Sequence, residues 1–153
     1  METTEVPVER TCAAIVSDLV QAGARQISQE FSANKEVIGV RFSLEVLPGQ
    51  IRYFALPVRD EPVYKLLRKQ VTYRTDAQTL MDRAKRVAWR QLYRWVQAQL
   101  AMIQTGMVEA QEVFLPYMEH ESGKTFYQML KERDQLALPP AGESGEHSSD
   151  SLG

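Results

Sequence analysis

The sequence predicts an α+β domain, a three-stranded antiparallel meander packed against a long amphipathic helix, with extra short C-terminal helices. Three observations predict it. Apolar residues recur at helical spacing near the start and again over roughly residues 76–104. Between them the period falls to two, with Ile38, Val40, Phe42, Leu44 and Val46 alternating with Gly39, Arg41, Ser43 and Glu45. The chain of 153 residues, 44% apolar and 25% charged, has the size and composition of one soluble globular domain with a single core.

The first helix is expected over residues 8–22. Cys12, Ile15, Val16, Leu19 and Val20 form its apolar stripe, Pro7 suits its start, and Gly23 stands where a C-terminal cap belongs. A short strand, 27–31, meets a turn at Ala33-Asn34-Lys35 and is followed by the strand of clearest alternation, 38–46, with one buried and one wet face. Leu47-Pro48-Gly49-Gln50 fits a type II turn, whose third position requires positive φ. A third strand, 51–58, returns antiparallel, and Pro57 ends the pairing or marks an edge.

After the charged corner Arg59-Asp60-Glu61-Pro62, a short helix is expected over 63–69. The main helix follows from Asp76 to Gln104, with Thr75 as N-cap and Gly106 as its stop. A short helix at 109–113 leads into Phe114-Leu115-Pro116-Tyr117, and Glu121-Ser122-Gly123-Lys124 reads as a turn. Residues 125–133 read as a last helix with Phe126, Met129 and Leu130 facing inward. Residues 1–137 thus form a single α+β domain, and 138–153, rich in Gly, Pro and Ser, read as a disordered polar tail.

The net charge of −2 hides an asymmetry. Residues 65–94 hold nine bases and two acids, Asp76 and Asp82, so this window carries +7 and the remainder −9. On a helical wheel Arg83, Arg86, Arg90 and Arg94 fall opposite an apolar arc of Ala84, Ala88, Trp89, Leu92, Trp95, Val96, Leu100 and Ile103. Lys85 projects into that arc and must snorkel outward.

A solvated charged face is the default for an amphipathic helix. Three details set this one apart. Its neighbours at i, i+4 are like-charged, which costs a few tenths of a kcal/mol per pair, about 0.2–0.5. Its cations crowd the first half of the helix, where the macrodipole favours acids. Every base on the stripe is arginine, whose planar fork suits phosphate and carboxylate. Arg68, Lys69 and Arg74 extend the same basic window.

The pattern points to an anionic partner. That partner is DNA or RNA held by its phosphates, or an acidic protein surface, including a second subunit of a homo-oligomer. An internal answer from Glu109, Glu112, Glu119 or Glu121 is the further alternative. Tyr73 and Tyr93 are the aromatic residues best placed to stack on bases, whereas Trp89 and Trp95 belong to the core.

No pattern carries catalytic chemistry. Gly123-Lys124-Thr125 lacks the upstream glycine of a phosphate-binding loop, since that position is Met118. Glu119-His120-Glu121 has no second histidine in range, so no metal site is expected. Cys12, the single cysteine, reads as a small buried hydrophobe in a reducing compartment. No nucleophilic triad can be built around one ordered histidine. The expectation is a protein that is not an enzyme and has no cofactor. METTEVPVER has no secretory pattern and no stretch approaches the run of about 18 apolar residues of a membrane span, so a cytoplasmic location is expected.

The stretches "RYFALPV", "RVAWRQLYRWVQAQLAMIQTGM" and "EVFLPYM" resemble small proteins encoded in phages and other mobile elements. The likeness covers roughly residues 8–134. The resemblance implies an accessory protein without an assigned activity. The α-β-β-β-α order is also similar to double-stranded-RNA-binding domains, with "RAKR" (83–86) opening the last helix, and its β-β-β-α part to single-strand annealing proteins. A linker of about 17 residues between last strand and main helix departs from the former.

Overall fold

A computed structural model of the chain describes residues 5–137. The expected tail, 138–153, lies outside the described residues. Helix α1, Val8–Gln21, follows an extended Pro7 whose carbonyl accepts from the N–H groups of Arg10 and Thr11 at 3.1 and 3.2 Å. It stops at Gly23, where φ of 106° is open to glycine at little cost. Its buried residues, Thr11, Cys12, Ile15 and Leu19, recur at the helical period.

Strands β1 (Ile27–Phe31), β2 (Val37–Leu47) and β3 (Gln50–Pro57) form an antiparallel sheet in sequence order. Phe42 sits opposite Ile27 on one side and Phe54 on the other, so the apolar residues of β2 and β3 share a face. Val40, Phe42, Leu44, Phe54 and Leu56 are buried there, with Cys12, Ile15 and Leu19 of α1 in the same core. In the β2–β3 turn Gly49 has φ of 78°, and its N–H donates to Glu45 Oε1 at 2.9 Å.

The second face of β2 was expected to be wet. Gly39 and Ser43 are instead buried and Arg41 is half-buried. Part of the cause is the C-terminal segment, which returns to the β3 edge. Met118 bridges to Phe54, and the Glu119 N–H donates to the Tyr53 carbonyl at 2.8 Å. At Gly39 the cause is contact between strands, because a Cβ there would stand 2.7 Å from the Leu56 carbonyl oxygen. Gly39→Val should therefore force β2 and β3 apart and cost about 1–3 kcal/mol, read as a lower denaturation midpoint. An unchanged midpoint would show that the strands can yield.

Helix α2, Glu61–Gln70, starts two residues before the expected position, because Pro62 is tolerated in a first turn whose N–H groups have no helical partners. Helix α3, Ala77–Gln104, has 28 residues and is about 42 Å long. Its N-cap is Asp76 rather than Thr75. The Asp76 carboxylate accepts from the Thr79 N–H at 3.2 Å and supplies negative charge to the positive end of the helix. Gly106, with φ of 81°, follows its end.

Helix α4, Ala110–Phe114, begins one residue late behind a capping box made by Glu109 and Glu112 and runs into a 3₁₀ turn at Leu115–Tyr117. Helix α5, Phe126–Ala137, extends beyond the expected 133. Its inward face is not as expected. Phe126 and Leu130 are 37% and 47% exposed, and only Met129 is half-covered. The helix packs chiefly on the 3₁₀ turn, away from the main core.

Two apolar clusters hold the described chain. The larger joins the sheet's inner face to α1, Trp89, Val96 and Phe114, and the smaller joins Leu67 of α2 to Leu80 and Ala84 of α3. Among the described residues no helix is long and apolar enough to cross a membrane.

Candidate functional site

Helix α3 carries Arg83, Arg86, Arg90 and Arg94 at spacings of 3, 4 and 4 on one side, but fully buried Val87 falls beside them on the wheel, so the stripe is not wholly outward as expected. The first three are half-buried and Arg94 is exposed. The Arg90 guanidinium lies 5.3 Å from the centre of the Tyr93 ring, and Gln97 Nε2 donates to the Tyr93 hydroxyl at 2.9 Å. One ring face of Tyr93 is thus occupied, which lowers its value as a stacking platform.

Arg68 and Lys69 are exposed in the last turn of α2, where cations complement the negative end of the dipole. Leu67, next to them, packs on Leu80 and Ala84, which anchors α2 to the arginine-bearing half of α3. Arg74 is exposed in the following loop beside Tyr73, which is 66% exposed. The seven expected residues therefore belong to two packed helices and the loop joining them.

Lys85 meets an acid. Its Nζ donates to Glu36 Oε1 at 2.7 Å, and the Lys85 side chain is only 21% exposed. Glu36 follows the turn between β1 and β2, where Lys35 adopts φ of 63°. These residues, Arg86 and Asp82 line a concavity of about 410 Å³ beside the first turn of α1.

Three of the four acids named as an internal answer to the stripe have partners of their own. Glu109 and Glu112 cap α4. Glu119 accepts two bonds from Arg41, Nε to Oε1 at 2.7 Å and Nη2 to Oε2 at 2.9 Å. Glu121 is exposed in the turn before α5.

The Arg41–Glu119 pair is a polar centre that sequence reasoning missed. The bidentate bond to Glu119 raises the Arg41 pKa above its ordinary value and so fixes the charged form. Arg41 also lies 4.2 Å from the Tyr53 ring centre, and the Tyr53 hydroxyl bonds to Gln26. Beside this cluster a groove of about 450 Å³ runs over Gly39, Ala55 and Pro57, walled by Glu30, Glu119 and Tyr127. Arg41 stands at one of the polar positions of the β2 alternation, so no local signal set it apart. Its partner lies 78 residues away, beyond any local pattern.

The other chemistry-bearing patterns have structural roles. Gly123, with φ of 84°, makes a turn, and Lys124 pairs with Glu132 at 2.9 Å. The Thr125 hydroxyl accepts from the Gln128 N–H at 3.2 Å while Gln128 Oε1 accepts from the Thr125 N–H at 2.8 Å, a reciprocal cap on α5. His120 Nδ1 lies near Ser122 in the same turn. Burial pushes the Cys12 pKa up, against a weaker opposing effect of the Gln29 amide, which donates to its sulfur at 3.3 Å. Among the described residues no three His, Cys, Asp or Glu side chains are grouped to hold a metal ion.

Comparison with protein-family models, with curated proteins and with solved structures finds no match to this chain.

Proposed function

We propose that the protein is a non-enzymatic accessory factor that binds DNA or RNA by its phosphates through the outward face of α3. The observation that carries this reading is the stripe Arg83, Arg86, Arg90 and Arg94, with no acid between the first and the last, on a helix held in place by two apolar clusters. Side chains on a packed helix are presented at fixed spacing, so their forks meet a repeating array of anions without first being ordered. Arg68, Lys69 and Arg74 extend the contact surface from α2 and its loop. Phosphate contacts position a protein without reading bases, so binding has little sequence preference. The resemblance to phage and mobile-element proteins implies an accessory protein without an assigned activity, and the nucleic-acid reading rests on the arginines alone.

The test is a salt titration of binding to labelled single- and double-stranded DNA and RNA. Between 50 and 200 mM salt, duplex DNA affinity should fall roughly 150-fold if four phosphates are engaged and about 6,000-fold if seven are. Replacing Arg86, Arg90 and Arg94 together by alanine should reduce the log–log salt slope by roughly 2.7 while circular dichroism stays unchanged. No binding at the lower salt would sink the reading.

A further inference from the structure

We propose that the outer edge of β3, with Arg41 beside it, is a recognition site for an extended carboxylate-bearing peptide, and that the chain's own Met118 and Glu119 occupy it as an autoinhibitory contact. The resident segment displays the chemistry that the site accepts. The Glu119 N–H donates to the Tyr53 carbonyl at 2.8 Å, and the Glu119 carboxylate takes both arms of the Arg41 fork. Met118, opposite Phe54, packs on the larger apolar cluster. Backbone pairing, with an acid and an apolar side chain on alternate faces, is what an added strand offers to a sheet edge.

The resident uses only part of that edge. Strand β3 runs from Gln50 to Pro57, and the contact is an isolated antiparallel bridge at Phe54. The bridge sets Glu119 opposite Tyr53. A strand continued in the same register would place its next two residues opposite Arg52 and Ile51. The resident turns away instead. The His120 N–H donates to the Lys124 carbonyl at 2.8 Å, and Gly123 at φ of 84° folds the chain back on itself. Arg52 and Ile51 stay exposed. A competing strand with a second acid opposite Arg52 therefore adds backbone bonds, and a charge pair that His120 cannot make.

The segment is also thinly held. Of residues 119–136, Thr125 alone is buried, and α5 rests chiefly on the 3₁₀ turn. The Arg59 guanidinium, just past the end of β3, lies 5.6 Å from the Tyr127 ring centre. The groove of about 450 Å³ lies between the sheet and Gly123, Thr125 and Tyr127 of the segment. A unit with so few buried apolar contacts opens at lower free energy than the core beneath it. Opening from Met118 onward frees Arg41 and the Tyr53 carbonyl together and leaves Phe114 in place. The α3 arginines take no part, so this site and the phosphate reading stand or fall separately.

Two measurements on the full chain test the proposal. In hydrogen exchange, residues 119–136 should open while the amides of Phe42 and Phe54 stay protected. The second is fluorescence anisotropy with a labelled peptide, YMEEVTV, which keeps the order Tyr117-Met118-Glu119 and continues with a second acid. It should bind the wild type weakly, because the tethered resident competes at an effective concentration on the order of millimolar. Glu119→Ala loosens the resident and should tighten peptide binding about tenfold. The peptide with glutamine in place of both glutamates should bind at least about tenfold more weakly. Arg41→Ala should abolish binding while circular dichroism stays unchanged, and bound peptide should speed exchange across 119–136. Exchange of 119–136 only through global unfolding would overturn the proposal. So would no binding to Glu119→Ala at about 1 mM peptide, equal affinity for the glutamine peptide, or binding that leaves 119–136 as protected as before.

Discussion

Phe114→Ala should lower the melting temperature by roughly 6–20 °C, the largest effect of any single truncation considered, corresponding to about 3–5 kcal/mol. Phe114 is fully buried and is the ring at which three parts of the chain meet. Its centroid lies 5.6 Å from Phe42, 5.8 Å from Phe54 and 5.7 Å from Trp95, so it ties the sheet to α3 and brings α4 onto both. Alanine would leave a void lined by three aromatic rings, whose rigid shapes collapse poorly into it. The residues after it, which reach the β3 edge through Met118 and Glu119, would lose their anchor. Proteolysis in the 120–124 turn should then accelerate more than the global loss of stability alone requires. A shift of only a few degrees would show that the rings close the space and that the C-terminal segment holds on by its hydrogen bonds.

Glu119→Ala should cost about 1–2 kcal/mol, less than the full value of two charge-assisted hydrogen bonds, because the Arg41 side chain is 37% exposed and water takes over part of the lost interaction. Arg41→Ala should cost more than Glu119→Ala, since it strips the partner from a carboxylate whose side chain is only 17% exposed and also uncovers the Tyr53 ring. The two losses should not add. In a double-mutant cycle the pair should show a coupling of about 1 kcal/mol, measured by denaturant unfolding of the four chains. Additivity within about 0.3 kcal/mol would reduce the Arg41–Glu119 contact to an energetically silent one.

The elements whose signal is local were legible in the sequence. The alternation from Ile38 to Val46 and the 3.6-residue period of α1 and α3 each report which side chains face apolar surroundings, and burial acts on every repeat of the pattern. Gly23, Gly49 and Gly106 marked their stops because a positive φ is costly for other residues. The spacing of the four arginines was legible for the same reason as the core, but their surroundings were not, since three of them are half-buried beside Val87. Boundaries were less secure where two neighbours compete. Thr75 and Asp76 both cap helices, and a carboxylate at the positive helix end is favoured over a hydroxyl.

Contacts between distant residues were not legible, because no local period encodes them. The same periodicity that placed Phe126 and Leu130 on an inward face could not say that α5 would dock on a 3₁₀ turn and leave them exposed. Arg41 stood on a face expected to be wet and Lys85 in an apolar arc, and each finds its acid across a long stretch of chain, 78 and 49 residues away. The sequence by itself determined the helices, the meander, the turns and the arginine face, all set by the spacing of apolar and conformationally special residues along a few turns of chain. Only the tertiary structure decided which charges are paired and that the C-terminal segment returns to the β3 edge, because these follow from how whole elements dock, and docking depends on surfaces assembled from residues far apart in the chain.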